Sequence, residues 1–322
     1  MKPALLLTLL VCSYVACCAS DSQTAAKSNA SVTAQEHRIP AGNTSLYSRE
    51  IGNGPAIIVL HGGPDFDHLY LLPDLDRLSD SYRLIYYDQR GRGQSGNGVQ
   101  PKEVSLESEI ADLEKVRQYY KLDSVVLLGH SWGTVIALEY AIRYPQRVSR
   151  MILMNPAPAS ADDFQEFRKE RTTNLGNDAN KLNAIKAGAG YQKGDPEAVA
   201  AYYHILFQQA FAQPENLDKL IARLQASFAN EGVLKARAVE AQLVDESWLL
   251  PSWNLLPQLK GLKIPTLVIY SDHDFIPVAT PQHITQALPN ARMVTLKDCG
   301  HFSYMECPDT LRQQVDLLFR GN

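Results

Sequence analysis

Short, continuous apolar runs constrain the fold of this 322-residue chain more than any other feature. Runs of this length, bounded by turn residues, are typical of strands that are buried on both faces of a parallel sheet. Six such strands are predicted, over 56–60, 82–87, 125–128, 151–154, 266–270 and 293–296. Apolar residues at helical spacing predict helices over 105–119, 135–144 and 309–319. Alternation of these strands and helices predicts the α/β class, with a mostly parallel sheet flanked by helices.

The segment 157–259 interrupts this alternation. It is helix-forming, most clearly over 198–211 and 216–228, and it carries no strand pattern. A connection of about 100 residues is far longer than those that usually join two strands of one sheet. We therefore predict an inserted helical cap over 157–259, with the α/β core formed by 37–156 and 260–322.

The N-terminus is typical of a targeting segment. Lys2 precedes an apolar run, and small or apolar residues follow as far as Ala19, which predicts a signal peptide over 1–19. Two processing outcomes stay open: cleavage after Ala19, or lipidation of Cys17, since the sequence before it resembles a bacterial lipoprotein site. Residues 20–36 are rich in small polar residues and are predicted to form a flexible linker. We expect an exported protein that is periplasmic, secreted or tethered to a membrane as a lipoprotein.

Charge and cysteine content exclude several classes of protein. The 31 basic and 35 acidic residues leave a net charge of -4, which predicts no binding to nucleic acid and no polybasic membrane surface. Only Cys299 and Cys307 lie outside the N-terminal segment, so the cysteines form no disulfide framework. One bridge between these two stays open, but we expect them to be unpaired, as buried cysteines often are.

The sequence Gly129-His130-Ser131-Trp132-Gly133 is the most specific signal for chemistry. It lies between a predicted strand and a predicted helix, which is the context of the nucleophile elbow G-x-S-x-G. The turn is so tight that only small residues avoid a clash two positions before and after the serine. The Ser131 hydroxyl is therefore predicted to be a nucleophile at the positive end of a helix.

A serine hydroxyl needs a base to become nucleophilic, and the base needs an acid to orient it. His301 follows the last predicted strand and is the predicted base. Asp274 follows the strand 266–270 and is the predicted acid, with Asp272 as the alternative. The order Ser131, Asp274, His301 is the order of the triad in α/β hydrolases.

Charge that develops on a substrate carbonyl oxygen requires backbone donors. The amide of Trp132, next to the nucleophile, is one predicted donor. The other is predicted to be the Gly63 amide in the loop His61-Gly62-Gly63-Pro64, since glycine lets the backbone approach substrate closely and proline has no N–H.

These motifs together resemble those of a known family. His-Gly-Gly-Pro at 61–64, Asp-Gln-Arg-Gly-Arg-Gly-Gln-Ser at 88–95, Gly-His-Ser-Trp-Gly at 129–133 and Gly-His at 300–301 look like the proline iminopeptidase branch of the α/β-hydrolase superfamily. The resemblance implies an α/β-hydrolase fold with a helical cap. It also implies a serine hydrolase without cofactor that often releases an N-terminal residue, typically proline, from small peptides.

The residues that would bind substrate depart from the family pattern. The family usually continues with glycine after Pro64, whereas this chain has Asp65. Family members that take peptides surround the substrate amine with cap carboxylates, often in a Trp-Glu pair, and this cap has Glu246-Ser247-Trp248 instead. Asp65, Glu246 and Trp248 are therefore predicted to contact substrate. Glu240 and Asp245 are further candidates by location. Two alternatives stay open: Asp65 is simply a residue that turns tolerate, and the three cap carboxylates Glu240, Asp245 and Glu246 are solvated surface groups.

Two other groups of polar residues are interpreted as structural. His61, Asp65, Asp67 and His68 have no established zinc-ligand spacing, so we predict no metal site there. Asp88 and Arg90, in a glycine-rich turn, are predicted to form an ion pair that fixes the loop.

The prediction for function is a serine hydrolase that works through an acyl-enzyme, acting on a small molecule or a short peptide. An aminopeptidase for short peptides is favoured. The alternatives are an esterase, lactonase or amidase for small acyl substrates and, more remotely, a non-catalytic ligand-binding protein with the same fold.

Overall fold

Eight strands form a single sheet in the described part of the chain. The computed structural model describes Met1, residues 33–228 and residues 230–321. The strands are β1 (Gln35–Ala41), β2 (Thr44–Ile51), β3 (Ala56–Leu60), β4 (Arg83–Tyr87), β5 (Val125–His130), β6 (Val148–Met154), β7 (Thr266–His273) and β8 (Ala291–Gly300). Their order across the sheet is β1-β2-β4-β3-β5-β6-β7-β8. β2 pairs antiparallel with both β1 and β4, and every other neighbouring pair is parallel. The predicted α/β fold with a mostly parallel sheet is confirmed.

The first two strands form a hairpin that the sequence did not indicate. Ala41 pairs with Thr44 beside the turn, and the strands continue to Gln35 opposite Glu50. β1 is exposed along much of its length and lacks the continuous apolar run that marks the buried strands. It begins at Gln35, so the last two residues of the predicted linker 20–36 belong to the sheet. The predicted signal peptide and the rest of that linker lie outside the described residues, apart from Met1 and residues 33–34.

Outside the segment between β6 and β7, the described chain forms the helices α1 (Leu106–Tyr119), α2 (Trp132–Arg143), α10 (Ala279–Ala287), α11 (Ser303–Glu306) and α12 (Pro308–Arg320). Between β6 and β7 the described chain forms α3 (Ala161–Leu175), α4 (Asp178–Ala187), α5 (Ala189–Gln192), α6 (Pro196–Phe207), α7 (Glu215–Ser227), α8 (Asn230–Asp245) and α9 (Leu256–Leu259). Among the described residues, no helix combines the length and apolar character needed to cross a membrane.

Alternate residues of the central strands belong to two different buried clusters. Ile58 and Leu127 pack into one, whereas their neighbours Ile57 and Leu128 pack into the other. Burial on both faces explains why these strands have continuous apolar runs rather than an alternating pattern.

The carboxyl ends of the parallel strands lie at one edge of the sheet, where the chain carries its polar motifs. The loop after β3 begins at His61, the turn after β5 holds Ser131, Asn155 follows β6, Asp274 follows β7 and His301 follows β8. Parallel sheets collect ligand-binding residues at this edge because the connecting loops meet there.

Candidate active site

The turn at Ser131 has the backbone of a nucleophile elbow. Ser131 adopts φ 52° and ψ -120°, between the end of β5 and the first residue of α2. A Cβ atom on Gly129 would lie 2.5 Å from the Gly133 carbonyl oxygen, and one on Gly133 would lie 2.1 Å from the Leu60 carbonyl oxygen. Both glycines are therefore required by close backbone contacts, which leave the strained serine at the head of the helix.

Asp274 and His301 form a buried pair. The His301 Nδ1–H donates to Asp274 Oδ1 at 2.9 Å, and the same oxygen accepts a hydrogen bond from the Ile276 amide at 2.9 Å. Asp272, the alternative acid, instead lies 3.4 Å from the Cys299 amide and 3.6 Å from Lys297 Nζ. Ser131 and His301 line the same cavity, although no hydrogen bond joins their side chains among the described residues.

Asn155 supports the acid and was missed by the sequence analysis. Its Nδ2 donates to Asp274 Oδ2 at 2.9 Å and to Ser271 Oγ at 3.0 Å, while its Oδ1 accepts from Ser303 Oγ at 2.7 Å. It therefore fixes the second carboxylate oxygen of Asp274. The available signal was its position, because a polar residue directly after a buried strand of a parallel sheet lies at the functional edge.

A second buried network joins the oxyanion loop to the His301 loop. The Gly62 amide donates to Tyr70 Oη at 2.7 Å, and that hydroxyl lies 2.7 Å from His130 Nδ1. His130 Nε2 lies 3.0 Å from the His301 carbonyl oxygen. Burial, followed by the nearby His301, lowers the pKa of His130 well below its usual value. The imidazole is thus neutral, accepting from Tyr70 and donating to the His301 carbonyl.

Gln89 of the Asp-Gln-Arg-Gly motif fixes the oxyanion loop through hydrogen bonds with His61. The Gln89 amide donates to His61 Nε2 at 3.0 Å, and the Gln89 side chain donates to the His61 carbonyl at 2.9 Å. Burial, followed by the charge of Arg92, lowers the pKa of His61 to about 3, which keeps the ring an acceptor. The Gly63 amide, one of the two predicted oxyanion donors, has no hydrogen-bond partner in the described part of the chain and lines the cavity beside Ser131. Trp132, the other, begins α2.

The predicted Asp88–Arg90 ion pair is wrong, because each residue has another partner. Arg90 forms a two-pronged ion pair with Asp112, at 2.6 and 2.7 Å. Asp88 instead accepts from the ring and the amide of His68, at 2.7 and 3.1 Å. Both pairs still fix the glycine-rich loop that follows β4.

Asp67, His68 and Asp88 form a buried cluster whose ligand-type atoms lie within 4.8 Å of one another. Three of the four carboxylate oxygens accept hydrogen bonds within the protein, since Asp88 also accepts from the Gln94 amide at 2.8 Å and Asp67 Oδ1 accepts from the Leu69 amide at 2.9 Å, whereas His68 Nε2 has no partner among the described residues. Burial, followed by Asp88, raises the pKa of Asp67 to about 6. The cluster is an internally hydrogen-bonded element that anchors the two loops, and we assign no metal to it.

A cavity of about 430 Å³ lies between the sheet edge and the cap helices. Eleven of its 29 lining residues are Phe, Tyr or Trp, and its charged residues come largely from the helices between β6 and β7. The polar and charged lining residues are Asp65, His130, Ser131, Arg171, Lys186, Arg237, Glu240, Asp245 and His301. Trp248 lines it too, donates Nε1–H to the Pro158 carbonyl at 2.9 Å and stacks on Phe164 at 4.6 Å.

Among the described residues, the three carboxylates that line this cavity, Asp65, Glu240 and Asp245, have no cationic partner at contact distance. Asp65 accepts a hydrogen bond from the Tyr203 hydroxyl, and burial raises the pKa of Asp65. Burial and then the charge of Asp65 raise the pKa of Glu240 to about 8. Within the described residues Glu240 makes neither a hydrogen bond nor an ion pair. Glu246, by contrast, does not line the cavity: its carboxylate accepts from the Leu106 amide at the start of α1.

Cys299 and Cys307 form a disulfide, so the expectation that they are unpaired is wrong. The bridge spans eight positions with a Cα–Cα distance of 6.2 Å and encloses His301 in its loop. It therefore ties the end of β8 to the start of α12, and His301 lies in the segment between them.

The fold and the family comparison together define the class. The family model for the alpha/beta hydrolase fold matches residues 55–308, and the chain belongs to that family. It is a hydrolase, and it is similar to proline iminopeptidases.

Similar proteins cover most of the chain. A proline iminopeptidase from Chitinophaga pinensis is 26% identical over 285 residues, which are 83% of this chain and 90% of that protein. The crystal structure of proline iminopeptidase from Mycobacterium smegmatis has a TM-score of 0.66 at 20% identity, covering 89% of this chain and 98% of that one. An enol-lactonase from Burkholderia xenovorans also has a TM-score of 0.66, at 22% identity over 88% of this chain and all of that one. At these identities the two structures share the fold alone.

Proposed function

We propose that this hydrolase is a serine aminopeptidase that removes the N-terminal residue of short peptides through an acyl-enzyme. The observation that carries the proposal is that Asp65 and Glu240, which line the cavity with Ser131 and His301, form no ion pair within the described part of the chain. The curated relatives named proline iminopeptidase support the same activity.

In the proposed reaction, Ser131 Oγ attacks the scissile carbonyl carbon while His301 Nε2 takes the serine proton. Asp274 holds the other ring nitrogen and stabilises the imidazolium that forms. The amides of Gly63 and Trp132 donate to the oxyanion. His301 then gives its proton to the leaving amine, and water hydrolyses the ester on Ser131.

The free amine of the substrate would lie between Asp65 and Glu240. Asp65 is two residues from the proposed oxyanion donor Gly63 and lines the same cavity, and the proposal assigns it to the acyl side of the scissile bond. Burial favours the protonated form of both carboxylates. A bound ammonium group would favour their charged forms and offset the repulsion between them. We assign this role to Glu240 rather than to Glu246, because the Glu246 carboxylate accepts a hydrogen bond from the Leu106 amide at the start of α1.

A fluorophosphonate probe tests the nucleophile. We expect the wild-type protein to be labelled and Ser131→Ala to remain unlabelled, with Ser149→Ala as the control. Ser149 lies in β6 and donates to the Val125 carbonyl, remote from the turn after β5. A wild-type protein that stays unlabelled while other serine hydrolases react would favour the non-catalytic alternative.

Blocked and free amines test the substrate class. We expect Pro-p-nitroanilide to be cleaved, and N-acetyl-Pro-p-nitroanilide and p-nitrophenyl acetate to be much poorer substrates. Glu240→Gln should raise KM for the free-amine substrate about 10-fold or more, because it removes one charge-assisted hydrogen bond. Glu246→Gln, which is the matched control, should leave KM unchanged. Equal rates on free and blocked compounds, or cleavage of esters alone, would replace the aminopeptidase with the esterase alternative.

We also propose that the protein is exported. The N-terminal sequence pattern supports export, and the Cys299–Cys307 bridge is the kind of bond that persists in oxidising compartments. Fractionation of the native host should recover the protein outside the cytoplasm. Incorporation of labelled palmitate that is lost in Cys17→Ser would establish the lipoprotein form, and no incorporation would leave simple secretion.

A further inference from the structure

Arg171 is a cation in the cavity without an anionic partner. It lies on α3, and its guanidinium carbon is 5.6 Å from the Phe167 ring centroid and 5.8 Å from that of Phe275. Within the described residues the guanidinium has no hydrogen bond and no ion pair. Arg171 is half-buried, and burial lowers its pKa, whereas Tyr202 and Glu240 raise it without contacting the guanidinium. An arginine left in this state offers a planar set of donors to a carboxylate.

Arg171 lies near the His301 imidazole, which protonates the leaving amine in the proposed reaction. The Phe275 ring centroid is 4.6 Å from that of His301, so the guanidinium lies within about 10 Å of the imidazole. His301 has to protonate the leaving amine, which places the leaving segment beside this ring. Asp65 and the oxyanion loop lie on the acyl side. The cavity therefore presents carboxylates toward the substrate amine and an arginine toward the segment that departs.

The other two cations of the cavity are engaged differently. Arg237 donates to the Tyr191 carbonyl at 2.8 Å and stacks on the Tyr191 ring at 4.0 Å. Lys186, Arg171 and Arg237 all partly offset the rise that burial and Asp65 give to the pKa of Glu240, and Arg237 also partly offsets the rise that burial gives to the pKa of Asp65. Lys186 is exposed and lies 6.0 Å from the Tyr202 ring centroid. Arg171 is thus the cation that is best placed to bind an external anion.

We propose that Arg171 binds the C-terminal carboxylate of the substrate, so that the enzyme selects di- and tripeptides with a free C-terminus. The inference rests on the aminopeptidase function proposed above and names its substrate class. A leaving segment of one or two residues spans about 3.3–3.6 Å per residue, so its carboxylate lies within the same limit of about 10 Å from the imidazole as Arg171. Longer chains would carry their carboxylate past the guanidinium and lose this contact.

The test compares peptides that differ only in their C-terminal charge. Release of proline from Pro-Gly and Pro-Gly-Gly is measured against release from Pro-Gly-NH2 and Pro-Gly-Gly-NH2, with Pro-p-nitroanilide as the reference substrate. For the wild type we expect kcat/KM to be about 10–100-fold higher on the acids, the range of a hydrogen bond between charged groups. Arg171→Gln should reduce this ratio to near one, mainly through KM, and Arg171→Lys should restore part of it.

Arg168→Gln is the matched control. Arg168 lies on the same helix, contacts the Phe164 ring at 5.8 Å and is exposed, so its loss should leave the acid-to-amide ratio at the wild-type value. Equal wild-type rates on acids and amides, while Pro-p-nitroanilide is cleaved, would overturn the Arg171 inference and leave the aminopeptidase intact. A wild type that cleaves only esters would overturn the aminopeptidase, and the inference with it. The wild-type comparison needs no variant, so a folding defect in Arg171→Gln cannot obscure the result.

Discussion

The two walls of the cavity differ in how their polar groups are satisfied. On the sheet side, hydrogen bonds of 2.7–3.0 Å engage both carboxylate oxygens of Asp274, both ring nitrogens of His130 and Nδ1 of His301. On the cap side, Glu240 and Arg171 line the same cavity without a hydrogen bond or an ion pair among the described residues.

This difference separates preorganised chemistry from recognition. A catalytic group has to be held in one geometry before substrate arrives, so its hydrogen bonds are made within the protein. A recognition group gives its hydrogen bonds to the ligand, and its burial without a partner costs stability in the free protein. Variants of the sheet side should therefore change kcat, whereas variants of the cap side should change KM and the stability of the free enzyme.

The largest effect is expected from Asp274→Asn. The substitution keeps the shape of the side chain but no longer stabilises the imidazolium or the correct ring tautomer, and kcat should fall about 10⁴-fold. Steady-state kinetics on Pro-p-nitroanilide measure the loss. Asp272→Asn is the control and should stay near the wild-type kcat, since Asp272 does not contact His301. A large loss in Asp272→Asn and none in Asp274→Asn would exchange the two assignments.

Asn155→Ala should reduce kcat by up to about 100-fold with little change in KM. The variant removes a donor to Asp274 and to Ser271 together, and a displacement of a catalytic group by about 1 Å costs on this scale. Asn290→Ala is the matched control, because the Asn290 amide donates to the Lys263 carbonyl on the surface. If KM rose and kcat held, Asn155 would belong with the recognition groups.

Replacement of both Cys299 and Cys307 by serine should lower the free energy of unfolding by about 2.5 kcal/mol, as the loop-closure relation gives for a short loop. Urea unfolding of the double variant measures this. The wild type unfolded in the presence of reductant provides the comparison and should show the same loss. Unchanged stability in both experiments would mean that the contacts around His301, rather than the bridge, hold this part of the sheet edge.

Glu240→Gln should stabilise the free enzyme as it weakens substrate binding. An unfolded chain releases the Glu240 proton near the ordinary glutamate pKa, whereas the folded protein retains it until about pH 8. Stability therefore falls as pH rises between these values, by at most about 1.4 kcal/mol per pH unit. Glu240→Gln has no titrating carboxyl group at this position and does not lose this stability. Its free energy of unfolding should therefore exceed that of the wild type by a small amount at pH 5 and by the largest amount near pH 8.

Thermal unfolding of the wild type and Glu240→Gln across this pH range measures the effect. Glu166→Gln, on the exposed face of α3, serves as the control and should gain nothing that grows with pH. A pH-independent difference for Glu240→Gln would show that its carboxylate is not held protonated in the cavity.

The sequence alone identified the elements whose signals are local. The buried strands and the turn at Ser131 each depend on a few consecutive residues, because strand burial produces apolar runs and the elbow forces small residues at fixed positions. The triad members could be proposed because strand ends in a parallel sheet share one edge.

The tertiary structure alone decided which cap groups enter the cavity. Glu240 and Glu246 are separated by six positions, yet the first lines the cavity and the second accepts from the backbone at the start of α1. The support from Asn155 and the unpaired charge of Arg171 likewise depend on groups far apart in the chain. Such choices follow from how inserted helices rotate and pack against the core, and that packing leaves no short-range pattern in the sequence.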